Sequence, residues 1–335
     1  MIYDCFTFFN ELDLLEIRLD TLKDVVDRFV IAEATRTHTG KEKELLFEKN
    51  RERFAEFADK ITYVVVDDLL PEEEVGKDSY NLPWVNENRQ RNALMRGLSG
   101  AKDDDVIMVS DLDEIPRPEY VAKTLRLISS ENPARLILGN YNYYLNFRNC
   151  FYPDWRLGTV MSCFSDFLNG ELIDRVESNR YIVAHENQGR TITKLRFCPC
   201  KLTVANAGWH FSYLGGVDAV LNKLKSFSHS EFSRITRNQI EARLLKGEDV
   251  FGRGEKFFAE PIDSRFPRIV CEDMIRWRNL IHPCDEHYLL ATRWRRRRVL
   301  WCGKAYRFLV SLIPDSMAHV LIRFRNQVLD KVHGD

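Results

Sequence analysis

No stretch of eighteen apolar residues occurs in the 335-residue chain, which excludes a simple membrane-spanning helix. The opening residues, Met1-Ile2-Tyr3-Asp4-Cys5, have neither a basic n-region nor an apolar core, so no secretory signal is expected. The eight cysteines include no Cys-x-x-Cys pair, and Cys198-x-Cys200 stands alone, which argues against a structural zinc. A chain of this length carries its own core and needs no disulfide framework, so buried free thiols in a reducing compartment are expected. Internal repeats and low-complexity linkers are missing as well. Net charge is scarce too: at -1 overall, the whole molecule is not a polyanion binder, and no nucleic-acid partner is expected.

Composition is otherwise ordinary for a globular protein, with 44% hydrophobic and 30% charged residues, but the charge is unevenly placed. From Arg293 onward there are ten Lys and Arg against three Asp and Glu, a surplus of seven that leaves the rest of the chain at -8. Short apolar runs alternate with helical spacing through the first half. Cys5–Phe9, Phe29–Ala32, Lys60–Val66 and Val106–Val109 read as strands. Leu12 to Leu22 and Glu87 to Leu98 read as helices. This alternation predicts an α/β fold with a mostly parallel central sheet covered on both faces. Further on, Glu119–Ser129 reads as helix, Arg135–Leu145 as a Tyr-rich strand, Trp209–Leu214 as strand, and Val217–Phe227 and Gln239–Lys246 as helices. Residues 169–200 hold no sustained period and are expected to form an insertion or an antiparallel addition.

The chemistry concentrates in Val106-Ile107-Met108-Val109-Ser110-Asp111-Leu112-Asp113-Glu114-Ile115-Pro116. A buried strand ends there in carboxylates, and ligands of open α/β sheets bind beyond the carboxyl ends of strands. In extended chain, Asp111 and Asp113 would face one spot, and close carboxylates repel unless a cation lies between them. Hard oxygen ligands suit Mg²⁺ or Mn²⁺, which commonly bind one or two carboxylates plus substrate phosphates. Asp103-x-Asp105 has the same spelling but precedes the apolar run, so position separates the two triplets.

The tail combines Arg293-Trp294-Arg295-Arg296-Arg297-Arg298 with Trp301, Tyr306, Phe308, Leu309, Leu312 and Ile313. Val320, Leu321, Phe324 and Val328 follow at helical spacing, with Arg323 and Arg325 between them. Basic residues interleaved with tryptophans suit an anionic membrane surface, here through 293–325. Packing on the domain, or against another copy, is the rival for the same pattern, and nucleic acid is a second one.

Several blocks together resemble family 17 glycosyltransferases. They are Tyr3-Asp4-Cys5-Phe6 with Asn10-Glu11-Leu12-Asp13-Leu14-Leu15-Glu16-Ile17-Arg18-Leu19, and Phe29-Val30-Ile31-Ala32-Glu33-Ala34-Thr35 with Thr37-His38-Thr39-Gly40. Asn88-Arg89-Gln90-Arg91-Asn92 and Ser110 to Pro116 follow, then Gly208-Trp209-His210-Phe211-Ser212-Tyr213-Leu214-Gly215-Gly216 and Ser226-Phe227-Ser228-His229-Ser230-Glu231. The blocks run in order from residue 1 to about 280. They look more like soluble microbial members than the membrane-anchored Golgi enzyme.

The resemblance implies a GT-A type fold and inverting transfer of a sugar, N-acetylglucosamine from UDP-GlcNAc in the best-known members, onto a saccharide acceptor. It implies a domain over 1–285, with nucleotide-binding residues to about 118 and acceptor-binding residues from 119 to 285. Residues 286–335 are then a basic amphipathic appendage. Asp111 and Asp113 would hold Mn²⁺ or Mg²⁺ against the donor diphosphate, with His210 completing the metal shell. Glu33 and Thr35 are candidates for the base and ribose, and Arg91 for a phosphate, its rival role being an exposed helix ion pair. An inverting reaction needs a general base, usually a carboxylate. Glu231 and Asp249 are the first candidates, and Asp154 and Glu186 are others. Trp155 and Trp209 are candidates to stack on sugar, or else core residues. The expected location is cytoplasmic, peripheral at the inner membrane face, where a lipid-linked or cell-surface glycan would be extended. Rival readings are a metal-dependent nucleotidyltransferase or phosphohydrolase, and a non-catalytic glycan- or membrane-binding protein on the same fold.

Overall fold

The computed structural model describes residues 1–75, 82–129, 132–165, 200–226 and 235–311, together with 192, 196 and 198. Among them the chain builds two mixed sheets. The first begins with β1 (Ile2–Phe8), β2 (Arg28–Ala34), β3 (Ile61–Val66) and β4 (Val106–Asp111), all parallel, in the order β3-β2-β1-β4. These are the apolar runs of the first half; β1, β2 and β4 are buried on both faces, as parallel strands require, while the edge strand β3 leaves Val65 exposed. Alternation sends Phe6 and Phe8 into the core under helix α1 (Leu12–Leu22), while Tyr3 and Cys5 face the opposite layer. On that side the helix α3 (Leu82–Ala93) and its 3-10 extension, Leu94–Leu98, cover the sheet; a short helix α2 (Leu46–Lys49) packs its Phe47 into the core on the α1 side.

The expectation of a mostly parallel sheet holds in part: those four strands are parallel, but the sheet as a whole is mixed. β6 (Ala134–Leu136) and β10 (Val160–Cys163) add antiparallel pairings beyond β4, and β11 (Leu202–Val204) closes that edge, parallel to β6. A second sheet takes β5 (Glu114–Pro116), β7 (Leu138–Asn142), β8 (Phe147–Asn149), β9 (Asp154–Trp155), β12 (Gly208–Ser212) and β13 (Phe257–Ala259). Its central pair, β7 with β12, is parallel; β5 runs antiparallel to β12. The stretch expected as one strand from Arg135 to Leu145 is two. Ile137 gives its amide to Val204 and accepts from Ala207, and the chain passes there from one sheet to the other. Pattern alone cannot register such a crossing, because both halves keep strand spacing.

The later helices fall where their periods predict them, at Gly216–Ser226 and Arg237–Leu245. The helix after Pro118 is shorter than expected and ends at Thr124. Thr236 caps the 237–245 helix in a reciprocal box with Gln239. Most of 169–200, with Glu186, lies outside the described residues, as does everything beyond Ser311.

The buried pair of Arg18 and Asp4 joins these layers. Leu14, Arg18 and Leu22 share one face of α1, so the guanidinium enters the core with the leucines. It meets Asp4 of β1 through two bonds, Nε to Oδ2 at 2.8 Å and Nη2 to Oδ1 at 2.6 Å. Its Nη1 donates to the carbonyls of Asp111, Leu112 and Glu114, at 3.0, 3.1 and 2.9 Å, and Nη2 also reaches Ser110 Oγ. Removing one partner of such a pair leaves an uncompensated charge in the core. Arg18→Met is therefore expected to lower unfolding free energy by roughly 3–5 kcal/mol. Urea denaturation checks this, and adding Asp4→Asn to that variant should restore part of the loss. An unchanged midpoint in Arg18→Met would remove the pair from its structural role.

Candidate functional site

Strand order reverses between β1 and β4, because the chain leaves β1 toward β2 on one side and returns to β4 on the other. Such switch points open a crevice at the carboxyl ends of the strands. A cleft of 150 Å³ lies there. Thr7, Phe8 and Phe9 end β1 on one wall, the turn Asp111–Asp113 forms the floor, and the loop after β2 supplies Arg36, Thr37 and His38. From α3 come Glu87, Gln90 and Arg91, which helical spacing puts on one face together with Asn86.

Two amides of α3 tie the rim together. Gln90 Nε2 donates to the carbonyls of Phe8 and Ala32 at the ends of β1 and β2, while its Oε1 lies 2.8 Å from His38 Nε2. Asn86 donates to the carbonyls of His38 and Leu70 and accepts from the Leu70 amide. These bonds place His38 at the cleft, a residue that the family block contained but that received no role from sequence.

The acidic turn is the joint between the two sheets: β4 ends at Asp111 and β5 starts at Glu114. Asp111 and Asp113 line the same cleft, but through a turn, not through the extended chain first expected. Asp111, whose side chain is 40% exposed, accepts from Arg91 Nη2 at 3.0 Å and has Arg196 Nη2 3.7 Å away. Burial works against its charge, but Arg91 and Arg196 outweigh burial and hold its carboxyl well below the usual carboxylate range. Arg91 is buried rather than exposed, bonded to Glu87 as well as to Asp111. Burial disfavours its charge too, yet Asp111 and Glu87 keep the guanidinium more firmly protonated than usual.

Asp113 faces a different neighbour. β12 pairs with β5 so that His210 stands opposite Glu114, and this brings His210 Nε2 to 3.5 Å from Asp113 Oδ2. Asn140 Oδ1 lies 3.3 Å from His210 Nδ1, and Trp155 stacks on the imidazole with centroids 4.1 Å apart and planes at 15°. Beneath them the fully buried Glu114 pairs with Arg196 and accepts from Trp155 Nε1 and from the Asp111 amide. Burial raises its pKa, Arg196 opposes that, and Asp111 and Asp113 raise it further. Neither Glu114 nor Arg196 was singled out from sequence. The signal available for Glu114 was its place in the acidic knot; Arg196 lay in the unpatterned stretch.

Several expected roles do not survive this geometry. Glu33 is fully buried behind β2, where Lys43, Tyr63 and the amides of Leu46 and Phe47 occupy both oxygens, so it supports the start of α2 and cannot reach a base or ribose. Thr35 continues the strand ladder, its amide bonded to the Val66 carbonyl, and the cleft wall begins one residue later at Arg36. Asp249 is buried among Tyr143, Arg253 and the amides of Phe251 and Arg253, with no oxygen left to take a substrate proton. Asp154 is exposed at the β9 edge, outside the cleft lining. Glu231 lies outside the described residues. Trp155 covers His210, and Trp209 is core, its Nε1 bonded to the Arg265 carbonyl and its ring under Arg117. Asp105 sits before β4, at the end away from the cleft, accepting from the Lys102 amide.

A second cavity of 370 Å³ adjoins the first, and both have Glu11 and Asp113 in their walls. Among the described residues no group of three His, Cys, Asp or Glu side chains converges as a ready metal cage. Asp113 and His210 are a carboxylate oxygen and an imidazole nitrogen at close range. Those donors suit Mn²⁺ when substrate phosphates supply the remaining oxygens.

Residues 1–166 match the model of glycosyltransferase family 17. Over 118 residues the chain is 32% identical to the β-1,4-mannosyl-glycoprotein 4-β-N-acetylglucosaminyltransferases of Homo sapiens and Rattus norvegicus, and 31% identical to that of Mus musculus. The aligned stretch is 33% of this chain but 21% of each relative, so the chain spans about a fifth of the length of these curated relatives.

The saturated carboxylates separate scaffold from site. Glu33→Ala and Asp249→Asn are each expected to lower stability by about 1–3 kcal/mol, the cost of lost charged hydrogen bonds in the core. Affinity for a donor nucleotide, per folded molecule, should stay unchanged. Urea titration and calorimetric nucleotide binding on the same samples check this. A tenfold loss of affinity at full stability would return either residue to the site.

Proposed function

We propose that this member of glycosyltransferase family 17 moves N-acetylglucosamine from UDP-GlcNAc onto a saccharide hydroxyl, with inversion, on a GT-A type fold. The observation that carries the reading is the position of the Asp111–Asp113 turn at the floor of the switch-point cleft, with His210 against Asp113. In this reading residues to about 118 hold the nucleotide, and those from 119 to 285 hold the acceptor together with the segment that follows β1. The 150 Å³ cleft is smaller than the roughly 300–1,000 Å³ usual for small-molecule sites, so a nucleotide sugar fills it and extends into the adjoining cavity.

Asp113 and His210 are the residues that would hold Mn²⁺ or Mg²⁺; when bound, such an ion neutralises charge developing on the leaving diphosphate. Asp111 acts beside them by fixing Arg91. Arg91 stays fully charged, and its guanidinium at the cleft wall is suited to a diphosphate oxygen. Arg36 and Lys43 add positive charge to the same wall. The two sheets hold these groups in place before substrate arrives, which is how electrostatic stabilisation lowers a barrier at little reorganisation cost.

The C-terminal helix, Glu286–Ser311, supports a place at an anionic membrane surface. At about 100° per residue, Leu290, Trp294, Trp301 and Phe308 fall within roughly 40° of one another. All four are exposed, Trp294 at 77% and Trp301 at 71%. Arg293, Arg297, Arg298 and Lys304 lie within or beside that stripe. Apolar side chains framed by arginine match an acyl boundary under anionic headgroups. The helix start is tied to the body, Tyr288 Oη accepting from the Ala259 amide at 3.0 Å. None of the described helices is long and apolar enough to cross a bilayer. In this reading the enzyme works at the inner membrane face on a lipid-linked or cell-surface glycan.

Incubation with Mn²⁺ and a panel of UDP-, GDP- and CMP-sugars should release UDP from UDP-GlcNAc, with product mass rising by one N-acetylhexosamine. Release of pyrophosphate would instead mark a nucleotidyltransferase. Asp113→Asn and His210→Ala should each weaken Mn²⁺ binding, read by electron paramagnetic resonance, at least tenfold while circular dichroism is unchanged. Wild-type Mn²⁺ affinity in both would end the metal assignment.

For the tail, Trp294→Ser, Trp301→Ser and Phe308→Ser combined should abolish co-sedimentation with phosphatidylglycerol vesicles, and 0.5 M salt should weaken it in the parent protein. Equal sedimentation of parent and triple variant would show that the stripe is not the anchor.

A further inference from the structure

The second cavity lies where the donor cleft opens toward α1 and β12. Its 370 Å³ is within the range of small-molecule sites. Tyr213, just past the end of β12, gives it aromatic surface over the buried Phe211, and Asp13 and Arg53 give it polar groups. Aromatic faces beside charged hydrogen-bonding groups suit a sugar, whose C–H face is apolar and whose rim is hydroxyl. The turn that presents Tyr213 is conformationally strained. Tyr213 itself has φ 57°, and Gly215 and Gly216 follow at 103° and 68°. Strain of this kind in a non-glycine residue persists where the surroundings hold it, commonly at sites. Here the Phe251 ring supports Tyr213, centroids 5.1 Å apart.

We infer that this second cavity receives the acceptor saccharide, and that Glu11, in the wall it shares with the donor cleft, is the catalytic base. The inference rests on the glycosyltransferase reading above. Among the described residues three carboxylates line the cavity, Glu11, Asp13 and Asp113, and two are committed. Asp13 is ion-paired with Arg53 at 2.6 Å, and Asp113 faces His210 in the proposed metal position. Glu11 is half-buried. Among the described residues its carboxylate makes one hydrogen bond, Oε2 accepting from the Asn10 amide at 3.0 Å. That bond orients the side chain and leaves Oε1 to accept a proton. Glu11 also precedes the first turn of α1 without capping it, so the carboxylate is not consumed by the helix.

In the step assigned to it, an acceptor hydroxyl oxygen forms the new bond to the anomeric carbon from the second cavity. The bond from that carbon to the diphosphate oxygen breaks on the donor side, and its electron pair leaves with UDP. The hydroxyl proton passes to Glu11 Oε1 and then to solvent. Inverting transfer needs a base where the two cavities meet, and among the described residues Glu11 and Asp113 are the side chains in both walls.

The test follows UDP release from UDP-GlcNAc with Mn²⁺, with water alone as acceptor and with p-nitrophenyl β-mannoside, β-glucoside, β-galactoside and N-acetyl-β-glucosaminide. Glu11→Gln should lower kcat at least 100-fold, keep calorimetric UDP affinity within twofold, and remove the acidic limb of the kcat/KM pH profile. Ala219→Phe, which fills the same cavity from the 216–226 helix, should raise the glycoside KM at least tenfold and leave UDP affinity unchanged. No UDP release by the parent protein would defeat the donor reading itself. Release by the parent together with full activity in Glu11→Gln would defeat only the assignment of Glu11. An unaltered glycoside KM in Ala219→Phe would move the acceptor elsewhere.

Discussion

One guanidinium holds the acidic turn in place. Arg18 donates to three carbonyls of the stretch Asp111–Glu114, so the backbone of the turn is bonded from below, and Asp4 of the neighbouring strand balances the charge. The turn between the two sheets takes one bond from β12, the Phe211 amide to the Asp113 carbonyl, and its other buried carbonyls need donors. Arginine supplies several from a single planar group that stays charged at any working pH. The cost of placing it at zero exposure is offset by the number of bonds it makes. With the main chain held in this way, the carboxylates of Asp111 and Asp113 are directed into the cleft and that of Glu114 into the core.

The three acids then diverge because their neighbours differ. Asp111 sits between Arg91 and Arg196 and is strongly ionised; Glu114, desolvated beneath it, is pushed toward its neutral form against the pull of Arg196. Asp113 meets an imidazole that Trp155 and Asn140 hold from two other sides. Environment, not residue type, sorts like groups into distinct tasks. The first sheet contributes Asp111 and the wall from α3, while His210 comes from the second. The site therefore exists only where the sheets are joined.

Legibility from sequence follows the range of the interactions involved. The four parallel strands were visible because each writes a continuous apolar run, buried on both faces in β1, β2 and β4, and α1 was visible because its stripe repeats every three to four residues. The split at Ile137 was not visible, since a strand that changes sheets keeps its period of two. Asp111 and Asp113 could be picked out because a strand ending in acids is a local pattern. Glu33 misled for the same reason: it too follows an apolar strand, but four donors from elsewhere consume it. Arg18 carried a readable signal, a charge on the leucine face of an amphipathic helix, which means a buried partner but does not say which one.

Local order, the parallel half of the first sheet, the position of the acidic turn and the basic character of the tail were determined by the sequence alone, because each depends on residues close together in the chain. Tertiary structure alone decided that β12 would lay His210 beside Asp113, that Arg91 would be buried against Asp111, and that Asp249 would be closed off. It also decided that two cavities would meet at Glu11. Those pairings span tens to hundreds of residues. Their energies come from desolvation and from charges a few ångströms apart, quantities that exist only once the sheets have packed.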